Sequence, residues 1–392
     1  MTPRFPAAEG DVRDPDSHYV SAEPYDQVAD LQTLDRKDLD ASTTVLIWRR
    51  FRRNKLAVLS LAFLLTIYLA LPFAGMLSPY DPAERNTDAI YAPPQDIDWF
   101  AHGHIAVTYP MESTINMETF QPDFVSDMDD PRPVRFLTGC GGEYRLLLLI
   151  ETNFRVFCPP EGATLYIWGA DRLGRDMFSR IVHGAQLSLT VGLIGVAISF
   201  SIGMVLGGVA GYFGGFIDSA VQRAIEIFRS MPELPIWLAL SAAIPPNWGP
   251  VSVFFVISAI LGLLDWPGLA RAVRSKFLSL REEDYVRAAE LMGASTTRVI
   301  GAHMMPNFMS HLVASATLSI PSMILGETAL SLLGLGLRPP AVSWGLMLND
   351  ALDLTAVEIY PWLLTPMIPV VLVVLAFNFL GDGLRDALDP YS

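Results

Sequence analysis

Nowhere does the sequence contain Gly-x-x-x-x-Gly-Lys-Ser/Thr, His-Glu-x-x-His or Gly-x-Ser-x-Gly. Those spacings cradle nucleotide phosphates, hold a catalytic zinc or present a serine nucleophile, so a chain that hydrolyses nothing itself is expected. Charge is scarce too. Asp, Glu, Lys and Arg make up 17% of the residues, against roughly 25% in an ordinary globular chain. No basic patch offsets the net charge of −14, which argues against a nucleic-acid partner. No cleavable signal peptide is expected, because the first 44 residues are polar and acidic rather than a short basic start before an apolar run. Cysteine is nearly absent: Cys140 and Cys158 are the two present. They form a disulfide if their segment is exported and are two free thiols if it is cytosolic.

What the sequence has in quantity is hydrophobic residues, 51% of its 392, with a mean hydropathy of +0.36. The acidic excess sits in two polar stretches. Residues 1–44 carry ten acids and four bases, and residues 79–186 carry sixteen acids and eight bases. The remainder is balanced and contains apolar runs near the roughly 20 residues needed to cross a bilayer. The first run covers 56–77 and directly follows Trp48-Arg49-Arg50-Phe51-Arg52-Arg53-Asn54-Lys55. Bases flanking a first span favour the cytoplasmic side, which predicts a cytoplasmic N-terminus. Further spans are expected over 187–212, 224–244, 251–270, 307–333 and 362–380, making six and leaving both termini inside. Short loops agree: 271–306 holds Arg271, Arg274, Lys276, Arg281, Arg287 and Arg298, whereas 334–361 holds Arg338 as its one base. The stretch between the first two spans, with Pro93-Pro94, Pro159-Pro160 and short apolar runs, reads as a small β-rich or irregular exported domain.

Between the fourth and fifth spans lies Ser279-Leu280-Arg281-Glu282-Glu283-Asp284-Tyr285-Val286-Arg287-Ala288-Ala289-Glu290-Leu291-Met292-Gly293-Ala294-Ser295. Ser279 and Glu282 have capping-box spacing, and acids crowd the first turn. Tyr285, Ala288, Ala289 and Met292 share one helical face, and Gly293 ends the helix. A second short helix is expected from Ser295 to Pro306. Such a helix could lie on lipid, pack on its own chain or dock in a partner's groove. Its acidic start disfavours lipid, and its small Ala288-Ala289 centre suits close docking.

The pattern Asp284-Tyr285-Val286-Arg287-Ala288-Ala289-x-x-x-Gly293-Ala294-Ser295, closing at His303-Met304-Met305-Pro306-Asn307, resembles the EAA loop of ABC importer permeases. Two departures stand out: Arg287 replaces the usual glutamate before the alanine pair, and His303 and Met305 replace isoleucine and leucine before Pro306. Residues 48–59, the run Gly169-Ala170-Asp171-Arg172-Leu173-Gly174-Arg175-Asp176-x-x-Ser179-Arg180, the run Gly326-Glu327-x-x-Leu330-Ser331-x-x-Gly334-Leu335-Gly336 and the terminal Gly381-Asp382-Gly383-Leu384-Arg385-Asp386-x-x-Asp389-Pro390 resemble the oligopeptide/dipeptide/nickel C-type (OppC/DppC-like) branch. The resemblance implies an all-α integral membrane fold, six transmembrane helices of the type I ABC importer (MetI-like) kind, with a periplasmic domain inserted between the first two. Its parts would be a cytoplasmic acidic tail (1–44), a basic juxtamembrane segment with the first span (45–78), the insertion (79–186) and a five-helix core (187–392) whose coupling loop covers 279–306.

The implied site is ATPase coupling through Asp284, Tyr285, Arg287, Ala288, Ala289, Gly293, Ala294 and Pro306. The implied partners are a second homologous permease, two ATP-binding cassette subunits, a periplasmic substrate-binding protein and the lipid of a bacterial inner membrane. ATP and Mg would sit on the ATPases, and this chain would bind no cofactor. Peptides are the expected cargo; relatives carry opines, oligosaccharides or nickel complexes.

Charges within spans are costly, so they pair or face water. Glu226, Arg229 and Glu233 have i, i+3 and i, i+4 spacing for intrahelical pairs; Glu226 and Arg229 could instead line a translocation path. Glu327 faces a cavity or packs against another span. Asp265 is expected at the interfacial end of the fourth span. His102 and His104 read as a solvated loop pair rather than metal ligands, since no third ligand is spaced nearby. An ion-coupled secondary transporter using Glu226, Arg229 and Glu327 is the reading from another class. It would call for internal repeats with matching broken helices, and none is visible.

Overall fold

The computed structural model describes residues 43–388 except 102, 116, 118–121 and 147–148. His102, Asp389, Pro390 and nearly all of the expected acidic tail lie outside the described residues. The chain divides into two compact units, Met1–Arg50 and Phe51–Ser392. Of the first, residues 43–50 are described, as the beginning of helix α1 (Thr43–Arg53).

Among the described residues, five helices are long and apolar enough to cross a membrane: Lys55–Leu77, Met177–Phe213, Pro250–Leu280, Phe308–Leu332 and Pro361–Leu388. Within them run α2 (Lys55–Ala70), α3 (Met177–Phe213), α6 (Pro250–Leu280), α8 (Met305–Leu332) and α9 (Met367–Leu388). Asn54 starts α2 by accepting a hydrogen bond from the Ala57 amide at 3.1 Å. The protein buries 61% of the apolar stretch of Pro250–Leu280 but 17% of that in Lys55–Leu77, so α6 is central and the first span peripheral. The spans pack in the order α2, α9, α8, α3, α6, with α3 against α6 the most extensive pair. Close approach there depends on missing side chains. A Cβ on Gly262 would stand 2.6 Å from the Gly195 carbonyl oxygen, and one on Gly211 would stand 2.7 Å from Phe277 Cβ. Small residues at such contacts are how helices associate in lipid.

The third expected span is interrupted. Residues 224–244 divide between α4 (Gly215–Ser230) and α5 (Glu233–Ala242). Pro232 is the cause: it forces Met231 out of the helical region, to φ −100° and ψ 140°. At about 1.5 Å per residue, α5 is about 15 Å long and too short to cross alone. The second span begins at Met177, well before residue 187, because Asp176 caps the helix by accepting from the Ser179 amide at 2.7 Å. The polar residues that hide this start, Ser179 and Arg180, are buried.

Between α2 and α3 the chain builds three small antiparallel sheets. Strands β1 (Ile97–Trp99), β2 (Ala106–Thr108) and β5 (Arg132–Pro133) form one, and β3 (Met111–Ile115) pairs with β4 (Pro122–Ser126). The long hairpin β6 (Arg135–Leu146) and β7 (Ile150–Cys158) sets Arg135 opposite Cys158, with a bulge near Gly139 and Tyr144. Apolar alternation along these strands fills a core of Ala106, Val134 and Leu165, with Phe136 and Phe157 packed against it. Arg155, 2% exposed, fastens the hairpin to the end of the first span. Its guanidinium donates to the carbonyl oxygens of Ser78 at 2.7 Å, Cys140 at 3.1 Å and Gly142 at 3.2 Å.

Cys140 and Cys158 are joined in a disulfide, with Cα atoms 6.1 Å apart. Closing a loop of this size contributes about 3 kcal/mol by limiting the unfolded chain. Cys140→Ser with Cys158→Ser should therefore make the β6–β7 hairpin more sensitive to limited proteolysis while leaving the helices folded. Equal cleavage rates for wild type and variant would refute this.

Candidate coupling site

α6 ends at Leu280, and the turn 281–283 leads into α7 (Asp284–Leu291). The capping box expected at Ser279 and Glu282 does not form. Ser279 continues α6, and Glu283 precedes α7 without a side-chain cap bond. Glu282 instead pairs with Arg287 and with Arg281, and these cations hold its carboxyl below the usual range. Met292 caps the C-terminus. Gly293, at φ +81°, donates to the Glu290 carbonyl at 2.9 Å, and Ala294 donates to that of Ala289 at 3.1 Å. This six-to-one and five-to-two pair of bonds is a Schellman ending, which requires the left-handed backbone that glycine adopts freely.

The second expected helix is not separate. Thr296–Arg298 passes into a π-helical turn, Val299–Met304, and then directly into α8. Pro306 stands in the first turn of α8, where its missing N–H is tolerated, and the wider π turn precedes it.

The apolar face predicted for α7 is divided by the tertiary structure. Val286 and Ala289 are buried, at 0% and 2%, whereas Tyr285 and Ala288 lie on the outer side. Leu291 and Met292 project outward at 90% and 82% exposure. Asp284 and Arg287 are also exposed, and Ala294 is half-buried. Two contacts anchor the helix to the end of α3. The Tyr212 hydroxyl donates to Glu290 Oε1 at 2.7 Å, and Arg281 Nη1 donates to the Tyr212 carbonyl at 3.2 Å. The result is a short helix held on one side by its own chain, with Leu291 and Met292 projecting from the other.

The charged residues expected in the spans do not gather into one path. Glu226 pairs with Arg223 at 3.0 Å on an exposed surface of α4 rather than with Arg229. Arg229 lines a narrow notch with Glu233 and Asp265. Asp265 lies mid-way along α6, which runs on to Leu280; its Oδ2 accepts from Ser199 Oγ at 3.1 Å. Glu327 is fully buried and accepts from Ser331 Oγ at 2.7 Å and Ser188 Oγ at 3.2 Å. Those same serine oxygens accept the Leu337 and Trp344 amides, so Glu327 anchors the loop after α8 to α3.

A second cluster stands where the β-rich segment meets α3. Asp171 accepts from the Leu173 and Arg175 amides and pairs with the buried guanidinium groups of Arg175 and Arg180. Arg172 pairs with Asp350 at 2.9 Å. In the sequence this run carries a family resemblance but no role for its charges. The available signal was the density of opposite charges immediately before an apolar span.

Next to it, burial pushes the Asp176 carboxyl up to about 7 despite the bonds from Ser179. Because this folded pKa exceeds the unfolded value of about 4, its stabilising contribution is full below about pH 4 and is lost as pH rises through about 7. Thermal stability should fall between about pH 4 and 7, and Asp176→Asn, an equally good cap, should flatten that fall. An identical slope in the variant would exclude Asp176 as its source.

Residues 203–391 match the family described as binding-protein-dependent transport system inner membrane component. Residues 42–94 match the N-terminal transmembrane domain of oligopeptide transport permease C. The chain is similar to the dipeptide transport system permease protein DppC of Bacillus subtilis, with 32% identity over 96% of this chain and 93% of the relative. The chain belongs to the permease family of binding-protein-dependent ABC transporters. A di/tripeptide transport system permease protein of Pseudomonas aeruginosa is 33% identical over 88% of this chain and 90% of its own length. The oligopeptide transport system permease protein OppC of Haemophilus influenzae is 39% identical over 57% of this chain and 70% of its own. A chain of the inward-facing MetNI methionine ABC transporter covers 54% of this permease and 98% of itself, with 20% identity and a TM-score of 0.42. As a family member, the permease is a multi-pass inner membrane protein that works with ATPase and binding-protein partners. Its α7 segment lies wholly within the first family match, and residues 95–202 lie outside both.

Proposed function

We propose that this permease forms a peptide translocation pore with a second, homologous permease, and that α7 couples it to two ATPase subunits. The observation that carries the coupling is α7 itself: one side is locked by Val286 and Ala289, while Leu291 and Met292 are presented outward. An apolar helical side of this kind suits insertion into a partner's groove. Movement of the ATPases on binding Mg-ATP would reach α3 through the Tyr212–Glu290 contact and α8 through the continuous helix after Gly293. ATP and Mg belong to those partners, and no cofactor is assigned to this chain.

α4 and α5 together are proposed as the sixth crossing, a broken one, which places both termini in the cytoplasm. The basic run ending at Lys55 supports this orientation. The β-rich segment then stands in the periplasm, where a Cys140–Cys158 disulfide is chemically at home. It is the proposed docking side for the substrate-binding protein. The names of the relatives, dipeptide, di/tripeptide and oligopeptide permeases, support a short peptide as cargo.

The test is mild solubilisation of the C-terminally tagged chain and mass spectrometry of what co-purifies. Two ATPase subunits and a second permease are expected, followed by ATP-dependent peptide uptake when the assembly is reconstituted with its binding protein. A chain recovered only with itself through repeated mild preparations would overturn the importer assembly.

A further inference from the structure

At the α7 end of the helix bundle, the last turns of α6 and α9 and the first turns of α8 enclose an open cavity of about 680 Å³. Three cationic or protonatable side chains line it, one from each helix: Lys276, His311 and Arg385. Three hydroxyls, Ser275, Ser279 and Ser310, share the same wall. No carboxylate lines the cavity among the described residues, and there neither Lys276 nor Arg385 has an ion-pair partner. His311 is braced by stacking on Phe308, with ring centroids 4.9 Å apart. The like charges of Lys276 and Arg385, brought to one cavity from two separate helices, repel one another unless an anion lies between them.

We propose that this cavity binds a phosphate group, and that the phosphate is the headgroup of an anionic phospholipid. Two cations, an imidazole and three hydroxyl donors exceed what the two oxygens of a carboxylate can accept, whereas a phosphodiester with its ester and glycerol oxygens can use them. The surroundings favour a lipid over a free ion. Elsewhere on the same two helices, α8 exposes Met309 and Val313, and α9 exposes Phe379, Leu375 and Leu372. These apolar surfaces can carry acyl chains away from the headgroup. Arg52 and Arg53 stand at the same end, since Ala57 packs against Gly383. Basic pockets between transmembrane helices near a cytoplasmic surface are suited to anionic headgroups. The inference rests on the proposed orientation only in assigning the site to the cytoplasmic leaflet.

Native mass spectrometry of the full-length chain, titrated separately with phosphatidylglycerol, phosphatidylcholine and inorganic phosphate, tests this. Phosphatidylglycerol should bind at least about ten-fold more tightly than phosphatidylcholine, and K276Q/R385Q should remove that preference. The charge-conserving variant R385K with wild-type Lys276 should keep it, which separates lost binding from lost folding. Saturable binding of inorganic phosphate that K276Q/R385Q abolishes, with the two lipids equivalent, would keep the phosphate site but reject the lipid as its source. Equal binding of all probes, or a lipid preference unaltered by K276Q/R385Q, would overturn the proposal. The measurement needs no partner subunit and no transport, so its failure leaves the importer reading standing.

Discussion

Replacing Asp171 by alanine should destabilise the permease by about 3–5 kcal/mol, the range for removing one side of a buried ion pair. Asp171 is fully buried, Arg180 is 2% exposed and Arg175 is 9% exposed. Their positive charges are tolerated there because one carboxylate serves both guanidinium groups and also accepts the Leu173 and Arg175 amides. Without it, two cations remain in a region water does not reach, and two backbone donors lose their acceptor. Asp171→Asn should fall between, because the amide oxygen can still take the backbone bonds while the charge is gone. The measurement is denaturant or thermal unfolding of the purified protein. A loss below about 1 kcal/mol for the alanine variant would mean that the arginines find other partners. Because Asp171 also presents its carbonyl to the Tyr91 amide at 3.0 Å, the β-rich segment should loosen before the helices do.

The second large effect is functional and should leave the fold intact. Ala288 lies on the outer side of α7, so Ala288→Arg should change the stability of the permease alone by no more than about 0.5 kcal/mol. In the proposed assembly, however, that position faces the ATPase at close range. A bulky cation at the centre of a docking helix should cost about 2 kcal/mol or more, which lowers ATPase retention about 30-fold and ATP-driven uptake with it. Ala289→Arg provides the contrast. Ala289 is 2% exposed against its own chain, so its enlargement should damage the folded permease before any partner is involved. Full uptake by Ala288→Arg would remove α7 from the coupling role. Damage to the isolated permease equal to that of Ala289→Arg would show that the outer side is not free.

Hydrophobic length and periodicity report what a residue prefers, and much of this protein follows from those preferences. The apolar runs after Lys55 and before Leu332 and Leu388 are spans because no other solvent suits them, and the glycine at position 293 ends α7 because few residues accept its φ of +81°. The break at Pro232 is likewise local, since a proline acts on its immediate neighbour. Family membership could be read from motifs whose order and spacing are properties of the chain itself.

Direction and partnership had to wait for the tertiary structure. The periodicity of α7 defined one apolar face, but its packing on the Val299–Met304 turn and the Tyr212–Glu290 bond decided that Val286 and Ala289 turn inward while Met292 turns out. Hydropathy placed Arg180 outside the membrane run, yet Asp171, nine residues earlier, neutralises it and lets the helix start at Met177. For want of a partner at helical spacing, Glu327 could have faced a cavity or packed against another span; its partner Ser188 lies 139 residues away, on α3. A charge or a face has a meaning set by what lies across from it in space, and sequence spacing measures distance only along one helix.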